Sequence, residues 1–399
     1  MNYKIFFSLL LLLGGGSAIV QGASPERTVL LLSFDGTRAD ALTQKNAPHF
    51  LSLAHGGWQG DLTPIFPSET FPNHATLITG GTAHQHGIAS NKFIDPQRGS
   101  FAYSMDPSWI LCKPLWATLE EQGLKTALVA WPSHGRGTWH GQQTTYYEPV
   151  PTTDIHKIIH FEDQKKFEKI LALLKLPAQK RPRFIFAWFP NIDTQGHAFG
   201  PHSPQVNKAI QQYDQLLGNF LIALNQLPEA RTIDLLIVAD HGMASVKTAI
   251  SVPYLQQKLK AIGPTSILES GSNARIYCAP KIMPKILAAL KKISTQTHAF
   301  DVYPGNKLPP AWQDNTVRNG QILLVAPPNY YFEPKGSEAT LLFDVHNKSL
   351  GKHGYPPSCP DMKALFIAHG PDFPAGKKEV HYKMTEIAPL VLWLLGAKK

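Results

Sequence analysis

Apolar residues in this chain fall into two rhythms. Val29-Leu30-Leu31-Leu32-Ser33-Phe34, Phe184-Ile185-Phe186-Ala187-Trp188-Phe189 and Leu235-Leu236-Ile237-Val238-Ala239 are almost unbroken apolar runs. A strand covered on both faces has this character, so each run predicts a buried strand of a parallel sheet. Lys125 to Ala130 and Ala364 to Ala368 read as further strands. The second rhythm is helical. Val206, Ile210, Tyr213, Leu217, Phe220 and Leu224 mark one face of a long amphipathic helix, and Asp163 to Leu174 repeats at the same spacing. Shorter helical stretches are predicted near 46–55, from Phe71 to Ile78, from Leu115 to Gln122 and from Glu386 to Leu395. Strands alternating with helices define an α/β fold.

Each of the three strongest strands leads into acidic chemistry. Asp35 follows the first; Asp193, with His197 four residues on, follows the second; Asp240-His241 follows the third. Residues at the carboxyl ends of parallel strands share one edge of the sheet, where open α/β folds bind ligands. Carboxylates and imidazoles gathered there predict a metal site, of two-metal type, and a hydrolytic reaction.

Two stretches break the rhythm. Residues 132–160 hold Gly135, Gly137, Gly141, Pro149 and Pro151 among aromatics and read as a long irregular cap loop. Residues 246–345 read as an inserted α+β subdomain with no evident metal ligands. The start of the chain has the order of a secretory signal peptide over residues 1–23: Lys4, the apolar run Ile5 to Leu13, then small residues. That run is too short to span a bilayer, so a secreted or periplasmic location is expected, with no transmembrane span in the mature chain and residues 24–399 as the catalytic domain. At 43% hydrophobic and 17% charged residues, extended disorder is excluded. The formal charge is +9, and removal of the leader takes away only Lys4. No Lys/Arg block is dense enough to predict nucleic-acid docking; Lys165-Lys166 and Lys377-Lys378 are pairs on solvated faces. Three cysteines, Cys112, Cys278 and Cys359, allow at most one internal disulfide.

Thr70, in Ser68-Glu69-Thr70-Phe71-Pro72-Asn73-His74, is the candidate nucleophile. A hydroxyl at a helix start sits where backbone N–H groups and the helix dipole favour a phosphate, and a metal contact lowers its pKa. Around it, in order, come Ser33-Phe34-Asp35-Gly36-Thr37-Arg38-Ala39-Asp40, His86-Gly87-Ile88 with Asn91, Asp193-Thr194-Gln195-Gly196-His197 running to Gly200-Pro201, Asp240-His241-Gly242-Met243 and His353-Gly354-Tyr355. Together these resemble the nucleotide pyrophosphatase/phosphodiesterase family of the alkaline phosphatase superfamily, from about residue 28 to the end of the chain. The resemblance implies an alkaline-phosphatase-like three-layer α/β/α sandwich around a mostly parallel sheet. It implies two Zn2+ ions, one on Asp193, His197 and His353 and the other on Asp35, Asp240 and His241, with Thr70 Oγ as a further ligand. Manganese or iron would also suit such ligands. Asn91 would donate to a non-bridging phosphoryl oxygen. His353 is preferred to His346 for its His-Gly-Tyr context, while His74, His84, His86, His202 and His369 are read as loop or supporting residues. Arg38 and Asp40 are read as a structural pair.

Monoesterases of that superfamily add a cation beside the nucleophile. Here Phe71-Pro72-Asn73 follows Thr70, which favours a small-molecule phosphodiester or pyrophosphate substrate, nucleotides first. The expected route is attack by Thr70, a covalent phosphothreonine ester, then hydrolysis. Phe71, helped by Tyr146 or Tyr147, is expected to stack a nucleobase, with packing of the cap as the alternative for the tyrosines. Trp131, Trp139 and Glu148 offer a cage for the choline of a phospholipid head group as a second substrate reading. A catalytically silent binding protein on the same fold is a third.

Overall fold

The strand that starts the fold, Thr28–Phe34 (β1), is buried along its whole length, as its unbroken apolar run requires. The structure is a computed structural model and describes residues 27–134, 137–150, 163–312, 317–345, 350–375 and 379–398. The expected leader 1–23, residues 151–160 of the cap, His346 and the Lys377-Lys378 pair lie outside these residues.

β1 joins Trp58–Thr63 (β2), Thr126–Val129 (β3), Tyr146–Glu148 (β4), Phe184–Phe189 (β5), Ile233–Val238 (β6), Ala364–His369 (β7) and Glu379–Lys383 (β8) in one sheet. The order is β8-β2-β7-β6-β1-β5-β3-β4. β7 runs antiparallel to both neighbours, β6 and β2, and every other pairing is parallel. β1 therefore lies between β5 and β6, the two other strands that lead into acidic residues. Ser33 pairs with Val238, which brings Asp35 level with Asp240, and the Asp35 N–H bonds to Phe189 O.

Successive side chains of a strand point to opposite faces, and here each face finds helices. On one side Phe34 and Phe189 meet Phe50 of Pro48–His55 (α1), Phe167 of Asp163–Leu174 (α4) and Tyr213 of Pro204–Leu224 (α6). On the other side Phe186 and Trp188 meet Trp131 and His74 of Thr70–Thr79 (α2), which packs with Leu115–Glu121 (α3) and Ile387–Leu394 (α7). The result is a three-layer sandwich around a mostly parallel sheet. Asn191–Phe199 (α5) follows β5 directly and carries Asp193 in its first turn.

Two sheet strands carry no apolar run to betray them. β2 reads Trp-Gln-Gly-Asp-Leu-Thr, and β8, at the edge, is half exposed and polar. The described part of the cap also differs from an irregular loop, because Tyr146–Glu148 continues the sheet as edge strand β4. Three residues are too few to show a period among glycines and prolines.

From Thr248 to Asp344 the chain builds a separate α+β unit. Its four-stranded antiparallel sheet, ordered Thr265–Ser270, Asn273–Cys278, Ile322–Val325 and Asp301–Pro304, carries the helices Val252–Lys260 and Met283–Thr297 around its own core of Leu255, Ile276, Ile286, Leu290 and Leu324. The ends of this unit are drawn together by an antiparallel ribbon in which Ala244 pairs with Lys352 and Val246 with Leu350. That ribbon returns the chain to Asp240-His241 just before His353. All three cysteines are free thiols. No described helix is long and apolar enough to cross a membrane.

Arg318 pins the insertion to the main body. It is buried, and its guanidinium donates to Asp95 Oδ2 at 2.7 Å, to Gly87 O and to Trp109 O. Removing one partner of a buried ion pair leaves the other unsatisfied, which costs about 3–5 kcal/mol. Arg318→Ala is expected to lose about 3 kcal/mol of unfolding free energy in urea titrations, and Arg318→Lys less than that.

Candidate active site

Six side chains that could hold metal converge where the sheet ends. One group is Asp35, Asp240 and His241; the other is Asp193, His197 and His353; within each, potential ligand atoms lie within 4.8 Å of one another. In the first, His241 Nε2 is 3.1 Å from Asp240 Oδ2 and 3.5 Å from Asp35 Oδ1. In the second, His197 Nε2 is 3.4 Å from Asp193 Oδ2 and 3.1 Å from His353 Nε2. The two groups adjoin, since the His241 and His353 rings stack with centroids 3.8 Å apart. Close approach depends on Gly36, where φ is +66° and a Cβ would lie 2.8 Å from the Asp193 side chain. Only glycine adopts that backbone and leaves that space at little cost.

All three imidazoles are held by the same device. Nδ1 of His197 lies 2.9 Å from Gly351 O, that of His353 3.0 Å from Ser68 O, and that of His241 2.8 Å from Gly242 O. A backbone carbonyl accepts only from N–H, so each ring carries its proton on Nδ1 and presents a bare Nε2. The carboxylates are positioned as deliberately. Trp188 Nε1 donates to Asp35 Oδ2 at 2.7 Å, and Gly36 N–H donates to Asp240 Oδ1 at 3.1 Å. The remaining oxygens Asp35 Oδ1, Asp193 Oδ1 and Asp240 Oδ2 are buried with no hydrogen-bond partner. Buried carboxylate oxygens without donors, facing bare imidazole nitrogens, fit a cation in each group.

Electrostatics agree with that fit. Burial, followed by the charges of Asp240 and Asp193, holds the Asp35 carboxyl well above the usual range, and burial lifts Asp193 to about 7. Asp240 is also pushed up by burial, but His241 and His74 outweigh this and bring it to about 2. Burial, then Lys352, lowers His197 to about 3, and burial with His241 and His197 lowers His353.

Thr70 opens α2, and its Oγ1 lies 3.3 Å from His241 Nε2. Asn91 is buried and accepts from Phe71 N–H through Oδ1 at 2.9 Å, while its side chain also bonds the Tyr103 hydroxyl. His74 supports this corner: its Nδ1 lies 2.8 Å from Thr70 O and its Nε2 2.9 Å from Ser33 Oγ. His86 contacts Thr76 Oγ1 and burial lowers it to about 3, so it serves α2 rather than the ligand cluster. Arg38 bonds Asp40 and Asp361 and also Met243 O, a strap across the site's rear.

Other expected contacts fall elsewhere. The Phe71 ring has no exposed surface and packs edge-on to Phe101 and Tyr103, because its place in the first turn of α2 turns it inward. It offers no open face to a base. Tyr147 stands on edge strand β4 with its ring against Gly137, and Tyr146 donates to Lys180 O. The ring beside Asn91 is instead that of half-buried Tyr103, whose N–H bonds to Asn91 O. The trio suggested as a choline cage is also committed: Trp131 is fully buried, Trp139 donates to Ile110 O, and Glu148 pairs with Lys169 at 3.0 Å. Trp188 was not singled out in the sequence because it sits inside an apolar strand run, and only the contact with Asp35 reveals its role.

A mostly parallel sheet with two carboxylate–imidazole clusters and a threonine hydroxyl at one edge defines an alkaline-phosphatase-like hydrolase. The profile described as Type I phosphodiesterase / nucleotide pyrophosphatase matches residues 29–356. The chain belongs to that family. It is 30% identical over 387 residues to an uncharacterised pyrophosphatase/phosphodiesterase of Schizosaccharomyces pombe, covering 93% of this chain and 77% of that one. It is 29% identical to human ectonucleotide pyrophosphatase/phosphodiesterase family member 5, over 93% and 75% of the two chains. A cobra (Naja atra) venom phosphodiesterase is 28% identical over 93% of this chain and 43% of its own. Among solved structures, an inactive variant of murine ectonucleotide pyrophosphatase/phosphodiesterase 5 in complex with AMP superposes with a TM-score of 0.82 at 26% identity, over 93% of this chain and 96% of that one.

Trp188→Phe removes the bond that orients Asp35, and loss of such a supporting contact weakens metal binding about 10–100-fold; a chelator-competition titration is expected to show that loss while the fold persists. Because burial lifts Asp193 to about 7, it keeps at pH 6 a proton that a metal must displace, and burial shifts Asp35 in the same direction, while His197 at about 3 is already neutral; metal binding is expected to release protons at pH 6. Apparent affinity then rises with pH through about 7, which calorimetry in buffers of different ionisation enthalpy measures.

Proposed function

We propose that the protein is a two-zinc phosphodiesterase and nucleotide pyrophosphatase that works through a covalent intermediate on Thr70. The observation that carries this reading is the position of Thr70 Oγ1, 3.3 Å from His241 Nε2 of the first ligand cluster, at the start of a helix. Asp35, Asp240 and His241 would hold one zinc with Thr70 Oγ, and Asp193, His197 and His353 the other. A metal held there would supply Lewis acidity toward the phosphoryl oxygens and favour loss of the Thr70 hydroxyl proton.

The residues of this chain then have distinct tasks. Thr70 Oγ attacks phosphorus in line, the P–O bond to the leaving group breaks, and a phosphothreonine diester remains. Asn91 Nδ2 donates to the non-bridging oxygen on which charge develops. Water next attacks phosphorus, the bond to Thr70 Oγ breaks, and the oxygen recovers its proton as the nucleoside monophosphate forms. The first turn of α2 favours the anion throughout: Phe71 N–H is taken by Asn91, Pro72 has none, Asn73 N–H bonds Glu69 O, and the Thr70 N–H is left for a phosphoryl oxygen.

Nucleotides are the favoured substrates, supported by the AMP bound to the murine relative and by the nucleotide names of the matched relatives. The relatives named as ecto- and venom enzymes, together with the apolar leader-like run, support action outside the cytoplasm, secreted or periplasmic.

The test is kcat/KM of the zinc-loaded protein on the p-nitrophenyl ester of thymidine monophosphate and on p-nitrophenyl phosphate. Strong preference for the diester is expected, with activity falling by at least about 10³-fold in Thr70→Ala, as for loss of a nucleophile. Preference for the monoester, or undiminished activity in Thr70→Ala, contradicts the reading. Activity on neither ester favours a silent binder.

A further inference from the structure

The residue just before the nucleophile is a carboxylic acid that the mechanism above does not use. Glu69 is fully buried. It occupies the N-cap position of α2, yet its side chain makes no capping bond. It turns instead toward the loop that carries Ser90 and Asn91. Oε2 accepts from Asn91 N–H at 2.6 Å and from Ser90 Oγ at 2.8 Å, and Oε1 accepts from Asn273 Nδ2 at 2.7 Å. Two of these partners are obligate N–H donors and the third is a hydroxyl free to donate, so the set satisfies a carboxylate. Asn273 comes from the inserted unit, and its own Oδ1 accepts from Arg275 Nη1 at 2.6 Å, while Arg275 Nη2 donates to Ala89 O. The Asn273 amide thus stands between the acid and the guanidinium. On the other side of the acid, a Cβ on Gly354, the residue after ligand His353, would touch Glu69 Cγ at 3.4 Å.

We propose that Glu69 sets the charge of the phosphoryl group that the site accepts. The proposal rests on the phosphodiesterase reading and names the residue behind its selectivity. A phosphate diester, or the attacked phosphorus of a nucleotide pyrophosphate, carries one negative charge; a monoester above pH 7 carries close to two. A negative charge fixed one residue from Thr70, and bonded to the backbone of Asn91, repels the second charge more than the first. Because the carboxylate is walled from water, this repulsion is weakly screened. The same field disfavours the dianionic nucleoside monophosphate product and hastens its release. Superfamily members that hydrolyse monoesters add a cation beside the nucleophile; this chain has instead a buried carboxylate on the preceding residue, bonded to the backbone N–H of Asn91. Its anchoring to Asn273 also makes the insertion part of the site, since the acid is held from both sides.

The test compares kcat/KM at pH 8 on bis(p-nitrophenyl) phosphate and p-nitrophenyl phosphate for the zinc-loaded wild type, Glu69→Gln, Glu69→Ala and Glu69→Asp. Removing the charge is expected to lower the diester-to-monoester ratio about ten-fold in Glu69→Gln, equivalent to about 1.4 kcal/mol, and to tighten competitive inhibition by AMP. Glu69→Ala removes the same charge and reports the same shift if the glutamine variant does not fold. Glu69→Asp keeps the charge and is expected to keep the wild-type ratio, whatever its rate. A ratio that stays within two-fold while both activities fall together in the neutral variants would make Glu69 a structural prop and overturn the proposal. Wild type that hydrolyses neither ester overturns the phosphodiesterase reading itself, and with it this proposal; wild type active on the diester with an unmoved ratio overturns only the role of Glu69.

Discussion

Three carboxylate oxygens, buried in two adjoining clusters and given no hydrogen-bond donor, are the constraint on which this structure turns. Asp35 Oδ1, Asp193 Oδ1 and Asp240 Oδ2 repel one another and are cut off from water. Unpaired charges in such surroundings are strongly unfavourable unless a cation joins them. Much of the architecture can be traced to holding them there. β1 lies between β5 and β6, so the ends of three strands meet. Gly36 admits Asp193 against β1, and the ribbon after the inserted unit brings His353 back across His241.

The neutral side of the site is as closely specified as the charged side. Three imidazoles donate Nδ1–H to backbone carbonyls, so their tautomers are set by the main chain rather than by pH. α2 then adds a hydroxyl and a helix start at the point where the two clusters meet. Asn91 and Glu69 tie this helix to the neighbouring loop and, through Asn273, to the insertion. The proposed nucleophile, anion-binding groups and metal ligands therefore sit on regular elements and the loops bonded to them, as the proposed phosphoryl transfer would require.

What could be read from the sequence follows from where each residue sits. Asp35, Asp193 and Asp240-His241 were legible because each ends a buried strand, and a buried strand announces itself as an apolar run. His353 has no such run before it. It arrives by a short antiparallel ribbon after a long insertion, so only its His-Gly-Tyr context pointed to it. Trp188 was hidden for the opposite reason, since an indole within a core strand looks like packing until its N–H is seen on Asp35. Glu69 showed in the sequence only as the residue before Thr70. Phe71 was misread as an open platform because adjacency to the nucleophile does not give the direction of a side chain; one helical step turned its ring into the interior. Strands β2 and β8 escaped notice because they carry polar residues, and β4 because it is too short to show alternation.

The reading of the six convergent side chains as holders of two cations beside Thr70 can be checked by anomalous X-ray diffraction from crystals grown with zinc, recorded above and below the zinc edge. Two peaks roughly 4 Å apart are expected, a spacing typical of two-metal hydrolases, one within Asp35, Asp240 and His241 and the other within Asp193, His197 and His353. A single peak, or peaks away from these residues, would contradict it.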